Sequence, residues 1–173
     1  YPQCVFNMRE ALAMVVEQNR TLISYNDNKD GPDQGYIVAN KLEKSLQRKG
    51  IDARAEGYSD SALDADTQWL ILIHSSEIGS SSPISKTVNI ALDRVVERRM
   101  RGVLAVTTTT RFDLRPEWAS IRKYDGTGLT EEEIANSIKR AMDYAKLPYT
   151  QAIARHRGQQ KASRRSKKSL LLM

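Results

Sequence analysis

The chain has 173 residues, and its longest strongly apolar run, Trp69 to Ile73, is far short of the roughly 20 residues that cross a bilayer. A single cysteine, Cys4, excludes an internal disulfide framework and a Cys-rich zinc site, which reads as a reducing, cytoplasmic setting with no metal site. The net charge of +6 hides a division: seven of the 27 lysines and arginines lie in residues 151–173, which hold no acid, leaving 20 basic against 21 acidic residues elsewhere. A nucleic-acid-binding fold more often carries a basic face on its body.

Residues 5–17 read as a helix, with Val5, Met8, Leu12, Val15 and Val16 near a 3.6-residue period. The chain opens on Tyr1 rather than Met, which reads as a segment of something longer. Residues 20–25 then read as a strand that runs into a loop of turn formers over 26–35. Residues 35–49 are helical in period, with Val38, Ala39, Leu42 and Leu46 on one face and Gly50 placed as a C-terminal cap. Residues 51–56 alternate strictly, as a strand near a sheet edge does.

Residues 69–73 are apolar on both faces, the mark of a central parallel strand. A polar, Ser-rich loop leads to Ser82-Pro83, an expected N-cap and first helical position, and an amphipathic helix continues to about Met100. Residues 102–107 are the next buried strand and 121–124 a weaker one. Thr130 and Glu133 form a capping box for a helix carrying Ile134, Ile138, Ala141, Met142 and Ala145 inward, and Pro148 ends it.

Alternation of this kind predicts an α/β fold: a flavodoxin-like, five-stranded parallel sheet with helices on both faces. The expected layout is an N-terminal lead-in over 1–20, the domain over 21–147 and a basic tail over 148–173. Ligands or partners then meet the loops at the carboxyl ends of the strands, here 26–35, 57–67, 74–82, 107–119 and 125–129.

Thr21 to Tyr25 is similar to the "FISY" box that opens the Toll/interleukin-1 receptor (TIR) domain family, and residues 74–92 resemble its "LSPxYLxSxWCxxELxxAL" stretch without a gap, through Ser75, Ile78, Ser81, Ala91 and Leu92. The resemblance covers residues 21–145. It implies self-association, recruitment of other TIR domains, and innate-immune or defence signalling. It also raises NAD cleavage, which many TIR domains perform with a glutamate on the helix after the third strand. That position holds Thr87, flanked by Lys86 and Val88, and threonine supplies no charge. The resemblance therefore implies an interaction module that needs no cofactor. The competing reading is an NAD hydrolase or cyclase with a displaced carboxylate, Glu77, or a nucleotide sensor whose pocket is lined by Asn26, Asp27, Ser75, Ser76 and Thr87. Residues 57–68 leave little room for the usual second helix, and Tyr58, Ser59 and Asp60 are what remains of the family's partner-contacting loop.

Other constellations are weaker. Asp27, Asp30 and Asp33 either contact a ligand or satisfy their own backbone in a solvated turn, without EF-hand spacing. The hydroxyls of loop 75–82 either hold a phosphate at a helix N-terminus or form a plain cap. A phosphoacceptor receiver is rejected because the third strand ends in His74-Ser75 rather than Asp. His74 has no acid partner specified by spacing, so it reads as a strand-end polar group. The tail, with Arg164, Arg165, Lys167 and Lys168, suits anionic lipid or nucleic acid, or a solvated linker.

Overall fold

The computed structural model describes residues 20–27, 35–74, 82–108 and 114–145. The expected helix over 5–17 and the basic tail fall outside them. Five strands, β1 (Thr21–Tyr25), β2 (Ala53–Gly57), β3 (Trp69–His74), β4 (Gly102–Thr107) and β5 (Arg122–Asp125), alternate with three helices, α1 (Gly35–Arg48), α2 (Pro83–Val96) and α3 (Glu131–Ala145), and a 3-10 turn at Pro116–Trp118. The sheet runs β2-β1-β3-β4-β5 and every neighbouring pair is parallel. This is the flavodoxin-like order.

The topology fixes where the helices lie. β1 to β2 steps toward one edge of the sheet and β3 to β4 toward the other. Right-handed crossovers therefore place α1 and α2 on opposite faces. On the α2 face, Leu22, Leu70, Leu72, Val103 and Ala105 pack with Ile84, Val88 and Ala91. α1 buries Ala39, Leu42 and Leu46 against β1, β2 and β3. β3 is buried at every position, as its unbroken apolar run requires.

α1 ends as its glycine predicts. Gly50 takes φ +79, Gly50 N donates to Gln47 O at 3.0 Å and Ile51 N to Leu46 O at 3.1 Å, the paired bonds of a Schellman cap. This corrects the expected start of the second strand. Ile51 closes the cap against Leu46, so β2 begins two residues later, at Ala53. β2 is an edge strand, and α1 covers its outer rim: Gln47 Nε2 donates to Ala53 O at 2.8 Å, and Ala55 N donates to the Glu43 carboxylate. Side chains thus occupy backbone groups that an added strand would use.

Three further expectations are corrected. The helix expected to reach about Met100 stops at Val96. Glu97, Arg98 and Arg99 offer nothing apolar to bury, and Arg98 turns the chain at φ +60 so that Met100 reaches the core. Ser82 stands at the N-cap without a side-chain capping bond, its carbonyl accepting Ser85 N at 2.9 Å. On α3, Ala145 is exposed and Ala135 is buried in its stead. The Thr130–Glu133 capping box is present, with Thr130 N donating to Glu133 Oε2 at 2.8 Å and Glu133 N to Thr130 Oγ1 at 3.3 Å.

The chain divides within α3: Tyr1–Asn136 is one unit and Ser137–Met173 the other. In the second, Ile138 and Met142 are buried and Lys139 pairs with Asp143 at 2.8 Å. Among the described residues, no helix is long and apolar enough to cross a membrane.

Candidate functional site

All five strands point the same way, so their carboxyl ends form one rim. The order reverses between β1 and β3, where the connections depart toward opposite edges, and open α/β sheets bind ligands at such a point. The described rim there is built by the end of β1, the end of β2 with the segment 58–61 that follows it, and the first turns of α2.

Gly57 lets this corner close. A Cβ on it would lie 2.7 Å from Asp27 Cβ, so the missing side chain is what admits Asp27 against the end of β2. The Ser59 hydroxyl then donates to the Asp27 carboxylate. Tyr58 N donates to Tyr25 O at 2.8 Å, adding one step to the β1–β2 ladder. The Tyr58 side chain turns inward, 7% exposed, and its hydroxyl donates to Ile73 O at 2.6 Å. Ser61 Oγ lies 2.6 Å from the buried Ser24 Oγ and 2.8 Å from Gly57 O. Thr87 Oγ1 donates to Ser61 O at 3.2 Å. Hydroxyls from β1, the post-β2 segment and α2 therefore form one chain of bonds.

Glu56 adds a carboxylate to the same corner. It is the register partner of Ser24, so the two side chains share a face of the sheet. Its Oε1 faces Arg54 Nε at 3.3 Å, while its buried Oε2 has no hydrogen-bond partner among the described residues. That oxygen keeps acceptor capacity for a hydroxyl or a cation. On the far side of α2, Arg115 Nη1 donates to Ser85 Oγ at 3.1 Å and its guanidinium lies 5.0 Å from the Trp118 ring centroid. Trp118 Nε1 donates to Asn89 Oδ1 at 2.9 Å.

Of the residues singled out from sequence, Asp27 and Ser59 meet directly, and Thr87 joins the cluster through Ser61. Asn26 sits beside Asp27 on the same rim. Ser59 and Asp60 are exposed, but Tyr58 is not. Its ring belongs to the core, so it is removed from the expected partner-contacting surface. Thr87 is 9% exposed, with its hydroxyl committed to a backbone carbonyl. Ser75, Ser76 and Glu77, like Asp30 and Asp33, lie outside the described residues. His74 is buried beneath the rim, 2% exposed. Among the described residues no group of three or more His, Cys, Asp or Glu could hold a metal ion.

Sequence reading missed Ser24, Glu56 and Ser61. Ser24 carried a signal, a polar residue at an inward position of an apolar strand. Glu56 falls on the polar half of an alternating strand, where a carboxylate gives no signal of its own. Ser61 carried none, since only the fold brings it to Ser24.

No protein-family model matches the chain, and no curated protein matches it. Among solved structures it is similar to rubredoxin oxygen:oxidoreductase from Desulfovibrio gigas, at 12% identity and a TM-score of 0.50, over 85% of this chain and 42% of that one. It is also similar to a sensor protein from Polaromonas sp. JS666, at 12% identity and a TM-score of 0.45, over 73% of this chain and 98% of that one. The chain spans less than half the length of the oxidoreductase. At such identity the first likeness concerns the fold, and it agrees with the strand order: this chain has a flavodoxin-like α/β architecture.

Proposed function

We propose that this chain is a TIR-like interaction module that acts by self-association and by recruiting partners of the same fold, in cytoplasmic innate-immune or defence signalling. The observation that carries the reading is Thr87. The position where the resemblance expects an acid holds a nearly buried hydroxyl bonded to Ser61 O, so no charge is offered there to a cation developing on a ribose. The helix-free connection after β2, with Ser59 and Asp60 exposed, supports a shortened contact loop. The basic tail supplies a second means of recruitment, to anionic lipid or nucleic acid.

Light scattering of the purified chain, alone and with candidate TIR partners, tests this reading. Concentration-dependent assembly or a mixed complex is expected. A chain that stays monomeric at high concentration and binds no partner defeats it.

Glu56 Oε2, without a hydrogen-bond partner among the described residues, favours one competing reading, NAD hydrolysis or cyclisation with a displaced carboxylate. The rim corner around Ser24, Asp27 and Glu56 would hold the nucleotide, and Glu56 joins Glu77 as a candidate acid to test. Incubation with NAD and chromatography for nicotinamide decides it. Release that disappears in Glu56→Gln or Glu77→Ala replaces the interaction reading with an enzymatic one. A rise in melting temperature with NAD, without nicotinamide release, indicates a nucleotide sensor.

A further inference from the structure

α2 buries Ile84, Val88 and Ala91 and turns a second, ordered stripe outward. Lys86, Ile90, Asp93 and Glu97 follow one another at spacings of four, three and four, which keeps them on one helical face, and all four are exposed. Ile90 is 38% exposed, and Val96, at 82%, lies on the shoulder of the stripe. Apolar side chains thus stand in water at the middle and edge of a helix whose other face is already satisfied.

The charges on this stripe run against the helix itself. No acid occupies the first turn, Lys86 follows Pro83 by three residues, and Asp93 and Glu97 fall at the C-terminal end. A helix by itself favours the reverse, acids at its N-terminus and bases at its C-terminus. Glu97 is paired with Arg99, but among the described residues neither Lys86 nor Asp93 has an ion-pair partner. An arrangement unfavourable to one helix is favourable to two that pack antiparallel. Their dipoles oppose, and each positive end meets a negative one.

We propose that α2 forms the two-fold contact of a homodimer, with Ile90 against Ile90 of a second copy at the axis and Lys86 of each copy paired with Asp93 of the other. The proposal rests on the self-association reading and gives it a surface. At about 1.5 Å rise per residue, Lys86 lies about 6 Å from Ile90 along the helix and Asp93 about 4.5 Å in the other direction. A two-fold axis through Ile90 therefore brings lysine and aspartate within about 1.5 Å of the same level, well inside a lysine's reach. The stripe is complementary to itself, which an isologous interface requires and which points to a second copy of this chain.

The scaffold holds the stripe in place. Arg94 Nη1 donates to Asp64 O at 2.8 Å on one flank, and Asn89 accepts from Trp118 on the other. A contact built mainly on one 14-residue helix is small beside standard interfaces, so the dimer is concentration-dependent and weakened by salt.

Sedimentation velocity of the whole chain over a concentration series tests this. Lys86→Asp and Asp93→Lys should each weaken dimerisation by about tenfold or more, Ile90→Asp should abolish it, and Lys86→Asp with Asp93→Lys should recover to within about threefold of the parent. All three sites are solvent-facing, so thermal melts should stay close to the parent's. A parent that dimerises while both single variants dimerise equally well, or a double variant that fails to recover, overturns the α2 contact and leaves self-association standing. A parent that is monomeric throughout sinks both.

Discussion

Two crossovers on this sheet do the same topological job with different materials. β1 reaches β2 through α1, whose Ala39, Leu42 and Leu46 are fully buried. β2 reaches β3 through residues 58–68, which contain turns and no helix. That second segment contributes Tyr58 and Leu63 to the core and is otherwise tied by polar bonds. Tyr58 bonds Ile73 O, Ser61 bonds Ser24, Thr87 and Arg94 bond the carbonyls of Ser61 and Asp64, and Arg54 donates to Ala62 O while pairing with Asp64. A helix satisfies its own backbone and needs only an apolar stripe to dock. A segment without one must find partners for its backbone groups elsewhere in the fold.

The comparison predicts unequal sensitivity. Leu42→Ala in the helical crossover removes a fully buried side chain and should cost about 3 kcal/mol in denaturant unfolding. A loss under about 1 kcal/mol would mean that α1 docks more loosely than its burial implies. Tyr58→Phe in the helix-free crossover keeps the ring and deletes the hydroxyl that bonds Ile73 O. About 1.5 kcal/mol should be lost, with hydrogen exchange quickening over 58–68 more than over α1. Equal quickening of both segments would erase the distinction.

A smaller effect sharpens it. Ser61→Ala strands the buried Ser24 hydroxyl and should cost about 1 kcal/mol. Adding Ser24→Ala removes the stranded group, so the double variant should cost clearly less than the two single losses together. Strict additivity would show that the two hydroxyls do not depend on each other.

The same contrast explains what could be read from sequence. Helical period, the run Trp69–Ile73, Gly50 and the Thr130–Glu133 box are local signals, and the sheet follows from their alternation. The α1 terminus was legible because one glycine must sit at positive φ. The α2 terminus was not, because Arg98 takes a positive φ without being a residue that favours it, only so that Met100 can reach the core. Tyr58 was misplaced for a related reason. It follows Gly57 among turn formers, where an aromatic reads as exposed, and only the nearness of Ile73 shows that its hydroxyl has a buried partner. The corner of Ser24, Glu56, Ser61 and Thr87 joins residues up to 63 positions apart, which no spacing rule reaches.

The helical crossover also has an electrostatic tie, and it should be the weakest of the four effects. Lys49 at the end of α1 pairs with Glu132 in the first turn of α3, where Arg48 also faces Glu132 at 3.6 Å. The Lys49 hydrogen bond is the main cause holding the Glu132 carboxyl below its ordinary range. A carboxylate whose folded value is depressed stabilises the fold above the ordinary glutamate value of about 4.3, and that contribution fades as pH falls through the lower folded value. Glu132 is half exposed, so solvent and salt screen the pair. Glu132→Gln should therefore leave the melting temperature nearly unchanged at neutral pH in high salt. It should lower it slightly in low salt and flatten the acid side of the stability profile below about pH 4.3. A neutral-pH loss as large as that of Leu42→Ala would mean that charge holds α1 in place, and the division between an apolar and a polar crossover would fail.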